Sequence, residues 1–406
     1  MGYFSTTIKG LSWAGALRLS TRLIAFLRIA ILARILTPAQ FGVFGIAAFV
    51  LVFVEILTET GINVFLIQEK KKIDEYIHTA WIVSIIRGIL IAIVIILLAP
   101  FIASFFNSAE SYSLLVLMGA VPFIRGFINP AIIKFQKELE FQKEFWFRLL
   151  IFFVDAATAI ILVFLLREPI GLVWGLITGA ILEVILSFLL VKPRPRFVFE
   201  KARVQRVVGR GKWVTFAGIF DYLFRNLDDM SVGKLLNTSS LGLYQMAYKL
   251  SELPITEIAV VAQKVTFPVL TKISNDKKRL QGAFFKMMFG ICGLVIPLGV
   301  LLIVFSRQVI EVILGAQWLS ATSVLQVLAI FGVIRAISGS VSTLFLAIQK
   351  QEFVTLVTFA NMAGLAVTVV PLVLMFGMVG AGIAAIIGSL LGLFVSLYFA
   401  MRILKK

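Results

Sequence analysis

Cysteine and histidine are almost missing from this chain of 406 residues, which has one Cys, Cys292, and one His, His78. A single thiol permits no internal disulfide, and with one imidazole it leaves no Cys/His set to hold zinc or a redox metal. Acidic residues are scarce as well, 21 against 38 Lys and Arg, for a formal net charge of +17. No GxxxxGK[ST] loop is present to cradle ATP phosphates, and no His or Cys nucleophile set accompanies a hydroxyl. The chain is therefore expected not to be an enzyme, to carry no cofactor and to draw no energy directly from ATP. In a soluble chain so much positive charge would suggest a nucleic-acid partner, so the placement of the Lys and Arg must decide.

What is abundant is apolar surface: 60% of the residues are hydrophobic and 37 are Phe. Apolar stretches of about 20 to 28 residues recur almost to the C-terminus, each long enough to cross a hydrocarbon core as a helix. A membrane β-barrel is excluded, because its strands alternate rather than run continuously apolar. The first stretch is too long and too rich in Arg for a cleaved signal peptide and is expected to remain. The pattern predicts twelve helices, at about 11–36, 41–68, 78–106, 111–136, 143–167, 170–191, 211–236, 241–272, 280–305, 320–349, 353–376 and 378–404. Connections after even-numbered helices are basic, such as Glu69-Lys70-Lys71-Lys72 and Lys134 to Lys143, whereas Thr37 to Gln40, Asn107 to Ser111 and Asn237 to Ser240 are short and nearly neutral. The positive-inside rule then places both termini in the cytoplasm of a cell inner (cytoplasmic) membrane. Much of the net charge is a topology signal, and no nucleic-acid partner is expected.

The longest polar stretch, Lys192 to Lys212, carries eight basic residues against Glu200. It reads as a cytoplasmic linker near anionic head groups, with an interfacial helix around Lys201 to Val208. An offset of 200 residues superposes Trp13 on Trp213, Arg34 on Lys234, Gly42 on Gly242 and Phe44 on Tyr244, and one of 210 superposes Ile124-Arg125 on Ile334-Arg335. The expected fold class is thus an all-α integral membrane protein of about twelve transmembrane helices in two six-helix lobes. The lobes, residues 1–191 and 213–406 joined by the linker 192–212, form a parallel pseudo-two-fold repeat around a central cavity, as in transporters.

Charges inside the apolar segments are functional-site candidates. When consecutive helices are folded back on their apices, Arg22 falls level with Glu55, Arg18 with Glu59, Arg225 with Glu252, and Asp228 with Lys249. Asp221, Arg225 and Asp228 share one helical face. Arg18, Arg22, Arg28, Arg125, Arg225 and Arg335 are the candidate cavity cations, suited by their planar forks to an anionic head group such as phosphate. Glu55, Glu59, Asp221, Asp228, Lys249 and Glu252 are the candidates for ion coupling or gating, with protons or sodium as the coupling ion. Arg87, Arg148, Asp155 and Glu183 extend the set. The competing reading is that the pairs only fix the register of each hairpin. Pro122, Pro130, Pro254, Pro268 and Pro297 mark places where helices can bend.

Gly10-Leu11-Ser12-Trp13, the stretch Ile31-Leu32-Ala33-Arg34-Ile35-Leu36-Thr37-Pro38-Ala39-Gln40-Phe41-Gly42-Val43-Phe44, and its echo Gly233-Lys234-Leu235-Leu236 to Leu241-Gly242-Leu243-Tyr244 resemble the polysaccharide transporter family of oligosaccharide repeat-unit flippases. The resemblance implies the fold of multidrug and toxin extrusion transporters. It implies a substrate too, an undecaprenyl-pyrophosphate-linked oligosaccharide moved across the membrane for O-antigen, capsule or exopolysaccharide assembly, with a polysaccharide polymerase and glycosyltransferases as partners. Members commonly carry fourteen helices against the twelve expected here, a difference that concerns only a C-terminal pair. A lipid II flippase, a multidrug exporter of the same fold and a membrane scaffold are the competing functions, and Arg18, Arg22, Arg28, Arg125 and Arg335 among the candidate cavity cations argue against a cation exporter.

Overall fold

A computed structural model describes residues 3–58, 66, 74–197, 222–223 and 225–405, and every element among them is helical. Seven of these helices are long and apolar enough to cross a membrane, or up to nine if each of two bent pairs is one span. The chain is a multi-pass membrane protein. Its internal contacts divide it into two units, Met1–Leu223 and Phe224–Lys406. Glu59, Asp221 and the expected interfacial helix at 201–208 lie outside the described residues.

The first unit contains α1 (Tyr3–Ala33), α2 (Pro38–Leu57), α3 (Asp74–Phe105), α4 (Glu110–Met118), α5 (Ala120–Arg125), a 3-10 turn (Pro130–Ile133), α6 (Lys134–Lys137), α7 (Phe141–Leu166) and α8 (Ile170–Leu190). The turn between α1 and α2 has a simple local cause. Thr37 caps α2 by accepting from the Gln40 backbone at 3.3 Å, the Gln40 side chain accepts from the Thr37 N–H at 2.9 Å, and Pro38 occupies the first turn, where its missing donor costs nothing. Gln40 also donates to the Arg167 carbonyl at 2.9 Å, which joins this cap to the end of α7. Val43, Ala47, Val50 and Val54, at spacings of three and four, bury one stripe of α2 against Ile91, Ile95 and Ala99 of α3 and Leu114, Leu115 and Met118 of α4. The opening Gly10 and Trp13 dock α1 on α7: a Cβ at Gly10 would fall 2.6 Å from the Phe141 ring, and the Trp13 and Phe145 rings lie 5.1 Å apart.

The fourth apolar segment is not one straight helix. Between Glu110–Arg125 and Pro130–Lys137 the axis turns by 72°. Pro130 is the first residue of the 3-10 turn, and the residue before a proline is pushed away from helical geometry. Asn129 holds the break: its backbone N–H donates to Ser187 Oγ at 3.0 Å, its side chain accepts from the Ala131 N–H at 3.0 Å and donates to the Pro193 carbonyl at 3.1 Å, and the residue is fully buried. At Gly88 on α3 and Gly126 in the break the two backbones touch, for a Cβ on Gly88 would stand 2.5 Å from the Pro122 carbonyl oxygen.

The second unit contains α9 (Leu227–Leu235), α10 (Thr238–Lys272), α11 (Lys277–Val304), α12 (Ser306–Ile313), a 3-10 turn (Ala316–Ala321), α13 (Thr322–Ala347) and α14 (Gln351–Lys405). Asn237 caps α10 by accepting from the Ser240 N–H at 2.8 Å, the counterpart of the Thr37 cap. The axis of α10 bends by 41° between Glu252 and Pro254, one of the prolines marked in the sequence. Ile255 and Ala259 pack against Phe284, Met287 and Ile291 of α11 and Ala336, Leu344 and Phe345 of α13. The helices expected at 353–376 and 378–404 meet at Gly377, whose φ of 60° an L side chain rarely adopts. The two arms of α14 then pack glycine to backbone at Gly364 and Gly388.

Candidate functional site

Of the candidate residues of the first unit, Arg18, Glu55, Arg87, Arg125, Arg148 and Glu183 line two cavities, whereas Arg22, Arg28 and Asp155 line neither of them. One, of about 690 Å³, is lined by Arg18 and Trp13 of α1, Arg125, Gln136 of α6, Glu144 and Arg148 of α7, and Glu183 of α8. The other, of about 440 Å³, is lined by Glu55 of α2, Arg87 of α3, and again Arg125, Arg148 and Glu183. Three side chains therefore belong to both walls. The helix break makes this possible: eleven residues of straight helix would separate Arg125 from Gln136 by roughly 16 Å along the axis, whereas the turn brings both to the same cavity.

The arginines here differ in how firmly they are held. Arg125 faces Glu55 at 3.7 Å and Glu183 at 3.8 Å, beyond hydrogen-bond range, and its buried Nε makes no hydrogen bond among the described residues. With the Arg125 side chain 40% exposed, such pairs are worth at most about 1 kcal/mol each. Arg28 is the opposite case, joined to Asp155 at 2.9 Å with only 13% and 10% of the two side chains exposed. Arg87 donates to the Glu55 carbonyl at 2.7 Å and to Thr58 Oγ1 at 3.3 Å. Glu144 accepts from both Gln136 at 2.7 Å and Arg148 at 2.8 Å, so one carboxylate aligns two cavity groups.

In the second unit, Arg335 donates through Nη1 to Tyr248 Oη at 2.6 Å and Glu252 Oε1 at 2.8 Å, and its guanidinium lies 5.8 Å from the Phe331 ring centroid. Buried Asp228 accepts from Tyr244 Oη at 2.7 Å. Arg225 and Lys249 are exposed, as is Arg22 on α1; none of these three, nor Arg18, is without a partner.

The sequence reading paired consecutive helices, and the structure adds pairs between alternate ones. Glu55 of α2 meets Arg125 of the fourth segment at 3.7 Å, and Glu252 of α10 meets Arg335 of α13 at 2.8 Å, so the two offset-related arginines face corresponding carboxylates, loosely in the first unit and by a hydrogen bond in the second. The superposition of Arg125 on Arg335 contained that signal. The Glu144–Arg148 pair, four residues apart on α7, was legible as a helical neighbour pair but not as a cavity wall. Tyr244 and Tyr248 were not read as partners of Asp228 and Arg335, since the repeat marks Tyr244 only as the counterpart of Phe44.

Comparison with known proteins bears on the family and the fold. The family described as "Polysaccharide biosynthesis protein" matches residues 31–323. An "Uncharacterized membrane protein in cps region" of Klebsiella pneumoniae is 28% identical, covering 98% of this chain and 82% of its own length. "Lipopolysaccharide biosynthesis protein WzxC" of Escherichia coli (strain K12) is 23% identical over 85% of this chain and 71% of its own. The solved structure of "Lipid II flippase MurJ, inward closed conformation" aligns with a TM-score of 0.77 at 18% identity, covering 96% of this chain and 88% of that one, which establishes a shared fold. The chain belongs to the polysaccharide biosynthesis protein family.

Proposed function

We propose that the protein is a flippase rather than an enzyme, translocating undecaprenyl-pyrophosphate-linked oligosaccharide repeat units across the cytoplasmic membrane for O-antigen, capsule or exopolysaccharide synthesis. The observation that carries the reading is the state of Arg125, which lines both cavities of the first unit and whose ion pairs among the described residues are two long ones. A guanidinium in that state exchanges a carboxylate for a phosphate oxygen at little cost and gains a bidentate, charge-assisted contact. Arg18, on the same wall, supplies a second positive charge. Family membership and the names of relatives such as WzxC support a role in polysaccharide export. Arg28 and Arg335, each in a short ion pair, serve as struts rather than substrate ligands. Arg22 and Arg225 attract the anionic lipid from exposed positions.

In this reading, transport is alternating access driven by a proton or sodium gradient, with Asp228, Glu252 and Lys249 of the second unit as the coupling groups. Both termini are cytoplasmic. The test is reconstitution: purified protein in liposomes with a fluorescent undecaprenyl-pyrophosphate oligosaccharide, with and without an imposed proton or sodium gradient. The reading expects flipping above that of protein-free liposomes and a rate that responds to one gradient; no acceleration by wild type refutes it.

A further inference from the structure

The 690 Å³ cavity of the first unit holds more than positive charge. Trp13 of α1 and Phe141 and Phe152 of α7 line it beside Gln136, Glu144 and Arg148, all three of them planar polar groups. A site for phosphate alone has no use for aromatic faces or for a carboxylate. A pyranose has use for both, since its C–H face packs on an indole or phenyl ring while its vicinal hydroxyls pair with planar amide, carboxylate and guanidinium edges. The polar groups are already set in place, because Glu144 is fixed between Gln136 at 2.7 Å and Arg148 at 2.8 Å. Trp13 is likewise braced by the Phe145 ring at 5.1 Å, so its orientation is settled before any ligand arrives. Arg18 and Arg125 on the same wall place cationic groups beside the aromatic patch, where a sugar linked to phosphate presents its anionic end.

We propose that this cavity is a saccharide subsite which receives the sugar attached directly to the phosphate, with Trp13 as the stacking platform and Gln136, Glu144 and Arg148 as the hydroxyl-reading groups. The inference rests on the flippase reading for its biological substrate, but the binding chemistry is testable without transport. The subsite selects for a hydroxyl-rich ring next to the phosphate.

The experiment is saturation-transfer difference NMR on the full chain in detergent micelles, with glucose 1-phosphate, galactose 1-phosphate and N-acetylglucosamine 1-phosphate as probes and inorganic phosphate as competitor. The expected result is transfer to ring C–H protons of at least one sugar phosphate. Trp13→Leu should weaken that binding about fivefold to tenfold, the size of one lost ring contact. Inorganic phosphate should compete only at a concentration about tenfold higher than the sugar phosphate. Because Trp13 also packs on Phe145, Gln136→Met is the second variant; it keeps the side-chain length, removes the amide and should weaken binding by a similar factor. No transfer from any of the three probes, unchanged binding in a folded Trp13→Leu or Gln136→Met protein, or equal competition by inorganic phosphate overturns the subsite. The two readings fail separately: flipping without sugar-phosphate binding removes the subsite and leaves the flippase, while binding through Trp13 without flipping does the reverse.

Discussion

Neutralising Asp155 should destabilise the first unit far more than removing the Arg28–Asp155 pair altogether. The two side chains are 13% and 10% exposed and meet at 2.9 Å between α1 and α7. An Arg left unpaired at such a depth costs on the order of 3 kcal/mol, the size of both insertion scales for a mid-helix Arg and the loss from breaking a buried pair. The apolar double variant Arg28→Met/Asp155→Leu removes both charges with little change in volume and is expected within about 1 kcal/mol of wild type. Packing confines the substitution, since a Cβ added at Gly175 of α8 would stand 2.7 Å from Asp155 Oδ1, so the leucine must fit against a bare backbone. A double-mutant cycle by reversible unfolding in SDS micelles should therefore give a coupling of about 2 kcal/mol or more. If Asp155→Leu alone costs under about 1 kcal/mol, or the double variant costs the sum of the singles, Arg28 is not a strut and returns to the list of substrate ligands.

Three further outcomes follow from the helix geometry. Thr37→Ala and Gln40→Ala should each cost about 1 kcal/mol and the pair less than the sum, because both belong to one capping box; SDS unfolding of the singles and the double checks it. Gly88→Val should cost about 1–3 kcal/mol in the same assay, since its Cβ would meet the Pro122 carbonyl oxygen at 2.5 Å and drive α3 from the helix break. Asn129→Leu should cost about 2 kcal/mol, because the buried Ala131 N–H and the part-buried Pro193 carbonyl lose a partner, and amide exchange should rise at 131–133.

Much of the fold is written in features that a sequence displays directly. The caps at Thr37 and Asn237 are short and local, and each begins a helix where the apolar run resumes. Pro130 and Pro254 announced two bends, although the first turn is completed by Asn129, whose partners Ser187 and Pro193 lie about sixty residues away and leave no local trace. Depth matching across a single apex sees only consecutive helices. It therefore missed Glu55 with Arg125 and Glu252 with Arg335, pairs that arise because the second and fourth segments of each half pack together. The aromatic lining of the larger cavity was hidden among 37 Phe and could be separated from lipid-facing rings only by knowing which helix faces meet.

The measurement that bears most directly on the account is the flipping rate of Arg18→Gln/Arg125→Gln in proteoliposomes, beside Arg28→Met/Asp155→Leu as a folded control that alters charge outside the two cavities. The account predicts that the first variant folds but flips the undecaprenyl-pyrophosphate oligosaccharide at least about a hundredfold more slowly, as expected for two lost charge-assisted contacts, and that the control stays close to wild type. A double glutamine variant that flips at the wild-type rate would contradict it.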